Sequence, residues 1–174
     1  MASANVSVCV DKNVAYIRIG GRANFASSPD FKTLLDRLVQ KGYAHFVIEL
    51  RKCALMDSTF LGVLAGFGIK LNSNGAITGR SIELLNATDR VKELLENLGA
   101  VELFKLTTGE LNLPSDVTDC GEPESINPTH EQIARTSLDA HQTLMAMNPE
   151  NIARFKDVVQ FLAEDLQNIE KSPN

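Results

Sequence analysis

Between Val6 and Leu106 the apolar residues change period repeatedly, and that alternation limits the fold more than any other feature of the chain. Val6, Val8 and Val10 alternate with other residues, Asp11-Lys12-Asn13 has turn chemistry, and Ala15, Ile17 and Ile19 alternate again. A period of two marks strands with one buried face, so this stretch predicts two strands joined by a tight turn. Gly20 to Asn24 breaks the pattern. Pro29 then opens a helical stretch, with Phe31, Leu34, Leu35 and Leu38 on one side and Gly42 ending it. Phe46 to Leu50 reads as a short strand, Ser58 to Leu71 as a helix stopped at Asn72-Ser73-Asn74-Gly75, and Ser81 to Leu85 as a strand. Thr88 is placed to cap a helix through Val91, Leu94, Leu95 and Leu98, and Val101 to Leu106 returns to apolar residues as a last strand or extended segment. Strands alternating with helices imply an α/β fold around a mixed sheet of four to five strands.

Composition bounds what such a fold is for. The chain has 174 residues, 44% hydrophobic and 22% charged, enough for one ordinary core and a small appendage. No basic stretch followed by an apolar run opens it, and Phe60 to Ile69 is too short for the roughly 20 residues of a bilayer span. The expected setting is cytoplasmic, with no membrane span. Cys9, Cys53 and Cys120 show no metal-ligand spacing and no disulfide framework, so free thiols are expected. No basic patch with interleaved aromatics speaks for nucleic acid. Gly-x-Ser-x-Gly, a phosphate loop with its lysine and a His-Glu metal pair are all absent, and His45, His130 and His141 lack partners at useful spacing. A binding protein without cofactor or metal is expected rather than an enzyme.

Residues 107–128 differ in kind, with five acids, no bases and three prolines. They read as an acidic linker after a first domain over residues 1–106. Beyond it, Thr129-x-x-Gln132 has capping-box spacing and Asn148-Pro149 marks a second helix start, predicting a helical hairpin over 129–174. In its second helix, Ile152, Phe155, Val159, Leu162, Leu166 and Ile169 form a heptad seam. A lone helix cannot bury such a seam, so it pairs with the first tail helix, with the body, or with another chain as a homodimer.

The centre of interest is Asp57-Ser58-Thr59-Phe60-Leu61-Gly62, a carboxylate and two hydroxyls where a strand hands over to a helix. Free N–H groups and the helix dipole at such a start tolerate an added phosphate, and an N-cap role serves Ser58 equally well. Residues 5–106 resemble a STAS domain, the fold of bacterial anti-anti-sigma factors (anti-sigma factor antagonists). The resemblance rests on Gly21-Arg22-Ala23-Asn24, on Val47-Ile48-Glu49-Leu50 with Met56 to Gly62, and on Leu84-Leu85-Asn86 with Val91 to Phe104. It implies a switch in which a partner serine kinase, itself an anti-sigma factor, phosphorylates Ser58, with Thr59 the second candidate. A metal-dependent serine phosphatase would reset it. It also places Arg22, Asn24, Asp57, Phe60 and Gly62 at the partner surface. Phe60 stands where the family has a small glycine, either as a docking residue or packed under the 20–28 loop, and Asn24 stands for the family's aspartate. The alternative implied is an unphosphorylated scaffold subunit of a lipid-transport or stress-signalling complex. The tail would form the homodimer or mask the 58–62 surface.

Overall fold

In the computed structural model, residues 4–73, 81–114 and 120–172 are described. Strands β1 (Asn5–Asp11) and β2 (Val14–Ala23) form the expected antiparallel hairpin, with Lys12 at φ 52° in its turn. Helix α1 (Ser28–Gln40) leads to β3 (His45–Glu49), parallel to the first half of β2. Strand β4 (Cys53–Met56) then runs parallel to the last residues of β2, beyond a register shift at Gly21/Arg22. Helix α2 (Ser58–Ser73), β5 (Ser81–Leu85) and α3 (Asp89–Asn97) follow. The expected helix stop at Asn74-Gly75 lies outside the described residues.

The sheet order is β6-β5-β3-β2-β1-β7, where β6 is Lys105–Thr107 and β7 is Cys120–Gly121, with β4 paired to β2 off this path. Val101 to Leu103 is a 3-10 turn, so only the end of the last apolar segment reaches the sheet. One face of the sheet is covered. Ala15, Ile17, Ile19, Phe46, Ile48 and Leu84 are buried beneath the helices, while Arg18 between them is exposed. Alternation on β2 therefore means what it predicts, one wet face and one dry one.

One sequence expectation fails here. Cys9 and Cys120 form a disulfide rather than free thiols, because β7 pairs antiparallel with β1 and sets the two opposite each other, Cα to Cα 4.1 Å. Only Cys53 is free, and it is buried. The linker is also tied down at Asp30, whose carboxylate accepts from the Ile126 N–H at 2.8 Å and the Ser125 hydroxyl at 2.7 Å.

The tail folds as the hairpin α4 (His130–Met147) and α5 (Glu150–Lys171). The Thr129 hydroxyl accepts from the Gln132 N–H and the Gln132 side chain accepts from the Thr129 N–H, completing the capping box. The hairpin turn is pinned by Asn151, fully buried, whose amide donates to the carbonyls of Leu98 (3.0 Å) and Leu144 (2.9 Å). Leu144, Met147 and Phe155 join the core of the first domain. The heptad seam is thus used within the chain. Leu166 is buried and Phe155, Val159, Leu162 and Ile169 are half-buried along the packed side of α5, while Ile152 falls outside it and is exposed. Five of the six residues expected to oligomerise thus pack within the chain, which leaves only Ile152 of that stripe exposed.

Candidate functional site

β4 delivers the chain to the start of α2, and one residue fixes the junction. The Asp57 N–H donates to the Ala23 carbonyl at 3.0 Å, joining the strand exit to the end of β2. Its carboxylate works in two directions, accepting from the Phe60 N–H at 2.8 Å and from the Phe25 N–H at 2.6 Å. The first bond caps α2; the second ties the 25–27 turn to the helix start. Asp57, not Ser58, is therefore the N-cap. Burial pushes the Asp57 carboxyl above its ordinary value of 3.8, while the Phe60 and Phe25 N–H groups and His141 pull it the other way without prevailing.

With the cap supplied by its neighbour, the Ser58 hydroxyl is available elsewhere. It lies 2.9 Å from Nε2 of His141 on α4, a residue 83 positions away. Nδ1 of the same ring lies 2.7 Å from the Ser137 carbonyl. A carbonyl can only accept, so Nδ1 carries a proton, and in the neutral ring Nε2 accepts from the Ser58 hydroxyl. The imidazole is buried and meets the Phe155 ring edge-on at 4.8 Å between centroids.

One turn further along, Gly62 meets α4 without room to spare. A Cβ there would stand 2.6 Å from the Ala140 carbonyl oxygen and 2.7 Å from the Ala140 Cβ. The glycine permits a close helix crossing against α4. Beyond it the contact loosens into a groove of about 240 Å³ bounded by Lys32, Asp36, Gly66, Lys70, Asp139 and Thr143.

The other expected site residues divide. Asn24 caps the 3-10 turn, its side chain accepting from the Ser27 N–H at 3.3 Å, and Arg22 is exposed on β2 opposite Leu55. Thr59 is buried at 4% exposure, whereas Ser58 is half-buried. Phe60 is fully buried and stacks on Phe31 with ring centroids 4.4 Å apart, which corrects its placement at a docking surface. The pocket for its ring lies between α1 and α2. The exposed apolar residues at this end are instead Phe25, 48% exposed, and Leu55, 41% exposed. Neither has a sequence signal beyond its nearness to the motif. His141 was missed as well, because nothing local to it points to Ser58.

Comparison with known proteins agrees with this geometry. The chain is 25% identical over 105 residues to the anti-sigma-B factor antagonist of Staphylococcus aureus, covering 60% of this chain and 94% of that protein. The corresponding protein of Staphylococcus epidermidis is 23% identical over the same span. Among solved structures, unphosphorylated SpoIIAA, an anti-sigma factor antagonist, superposes with TM-score 0.51 at 16% identity, covering 60% of this chain and 88% of that one. An anti-sigma factor antagonist from Mycobacterium paratuberculosis gives 0.52 at 16% identity, covering 60% and 85%. These likenesses in structure bear on fold alone. The STAS domain model matches residues 5–112. With most of the chain matched by that model, the protein belongs to the STAS domain family.

Proposed function

We propose that this chain is an anti-sigma factor antagonist whose binding to an anti-sigma factor kinase is switched by phosphorylation of Ser58. The observation that carries this reading is the division of labour at the start of α2. Asp57 caps the helix, which leaves the Ser58 hydroxyl on the first turn without a structural bond to the backbone. A phosphate there meets the positive end of the helix dipole, so the fold accommodates its charge of about −1.5 to −2. Beside the Asp57 carboxylate, the same charge repels an acidic partner surface. Arg22, Asn24 and the exposed Phe25 flank the site and supply the rest of the docking surface, with a serine phosphatase restoring the hydroxyl. The Ser58–His141 pair is not read as a nucleophile and its base, because its hydroxyl faces a helix of the same chain rather than a substrate cleft.

Incubation with the partner kinase and ATP, followed by peptide mass spectrometry, tests this reading. Phosphate on Ser58, abolished by Ser58→Ala, is the expected result. Phosphate confined to other residues would refute it.

A further inference from the structure

The face of α2 that carries Ser58 and Gly62 is already occupied. α4 lies on it with a helix–helix contact so close that Gly62 has no room for a Cβ, and His141 takes the Ser58 hydroxyl in a hydrogen bond. A kinase needs that oxygen free, and a partner docking on this face needs the surface of α2 that α4 covers. We propose that the α4–α5 hairpin is an intramolecular competitor for the partner-docking face, latched by the Ser58–His141 bond, and that it must swing away before Ser58 is bound or phosphorylated. The proposal rests on the reading of Ser58 as phosphoacceptor for its functional consequence, and on geometry alone for the cover itself.

Several features favour a cover that opens rather than a permanent part of the core. Its far half leaves the 240 Å³ groove beside Gly66, where a Cβ would meet only Thr143, at 3.7 Å. α5 leaves Phe161 67% exposed and Ile152 46% exposed, so the hairpin is not fully packed even when docked. Residues 120–129 leading into it are exposed over most of their length and tied to the body at Cys120 and by the Ser125 and Ile126 bonds to Asp30, which puts the pivot of any swing at this end. Whatever displaces α4 must bring an equally small surface to Gly62, such as a helix with glycine, alanine or serine at that crossing.

The latch also responds to the modification. During transfer the bond between the γ-phosphorus and the bridging oxygen of ATP breaks, an Oγ–P bond forms on Ser58, ADP leaves, and the hydroxyl proton passes to the kinase's base. The product oxygen has no hydrogen to donate, so the bond to Nε2 of the neutral ring is lost. Nor does the 2.9 Å gap admit a phosphoryl group while Nδ1 and Phe155 hold the ring in place. The phosphorylated chain therefore holds its hairpin open.

The test uses the full chain carrying Ser58→Cys and a maleimide, with Cys53 buried and Cys9 and Cys120 paired. Adding Ala140→Glu, or Gly62→Ala on the opposite side of the same contact, is expected to raise the alkylation rate about tenfold or more by opening the hairpin. Phe161→Ser, on the exposed side of α5, leaves the rate unchanged. Equal rates in the parent and both contact variants would overturn the cover. A parallel assay with Ser58 intact measures phosphorylation by the partner kinase. Faster phosphate incorporation in Ala140→Glu supports the competitor role. Faster alkylation with no phosphate at Ser58 leaves the cover standing and refutes the phosphoacceptor reading, so the two ideas fail separately.

Discussion

Replacing Asp57 by asparagine changes one heavy atom, a carboxylate oxygen for an NH2, at the point where β2, the 25–27 turn and α2 meet. The carboxylate accepts two backbone N–H groups with separate oxygens, from Phe60 at 2.8 Å and Phe25 at 2.6 Å. Asparagine has one acceptor oxygen, and its NH2 faces a donor in whichever orientation it adopts. It caps helices about as well as aspartate, so the Phe60 bond is kept and the Phe25 bond is lost. A hydrogen bond to a charged group is worth about 1.5–3 kcal/mol, and the partial exposure of the site screens it, giving a loss of about 1.5 kcal/mol. For a chain of this size that lowers Tm by roughly 3–6 °C. Urea denaturation of both proteins at several pH values supplies a sharper check. Burial raises the Asp57 carboxyl pKa in the folded state, so the folded chain binds this proton more tightly than the unfolded chain. The wild type's stability from this group is full below the unfolded value near 3.8 and is lost as pH rises through the raised folded value. Asparagine does not titrate. The stability gap between the two proteins therefore widens as pH falls from neutral toward about 4. A gap that narrows on acidification would mean that the two N–H donors outweigh burial, and the account of this junction would be wrong.

Other outcomes follow from the same contacts. Phe60→Ala removes a fully buried ring stacked on Phe31 and costs about 3–5 kcal/mol in urea denaturation; a loss below about 1 kcal/mol would return the ring to the surface. Asn151→Ala leaves the Leu98 carbonyl without its donor and the Leu144 carbonyl with only the Asn148 N–H, costing about 1–3 kcal/mol. Hydrogen exchange then accelerates in α4 and α5 ahead of β2 and β3, and uniform acceleration would deny that the hairpin opens separately. Alkylation of the unfolded chain modifies Cys53 alone without reductant and all three cysteines with it; three modified cysteines without reductant would remove the β1–β7 disulfide.

Features set by local rules were readable in the sequence. The two-residue period of Val6–Val10 and Ala15–Ile19 gave the β1–β2 hairpin, Thr88 and Thr129 were recognisable caps, and the heptad spacing from Phe155 to Ile169 announced a packed helix. β4 was not readable, since Cys53 and Met56 are buried while Ala54 and Leu55 between them are exposed, a pattern with no period. Asp57 and Ser58 are both good cap residues in adjacent positions, and only the backbone decides which one points at the Phe60 N–H. Phe60 carried no signal of its direction, because a ring on the first turn suits a pocket and a docking surface equally. His141 and Cys120 depend on contacts 83 and 111 residues away, beyond any local rule. The site is therefore legible as a motif and illegible as an assembly. Ser58 was readable, and so was a tail that could mask it, as one of two alternatives; the His141 contact that joins them was not.

The most direct measurement of the central claim is the affinity of the partner anti-sigma factor for the full chain with and without Ser58→Asp, read by titration calorimetry. A negative charge fixed beside Asp57 is predicted to weaken binding about a hundredfold or more while the STAS sheet stays folded. Equal affinities for the two chains would contradict the account.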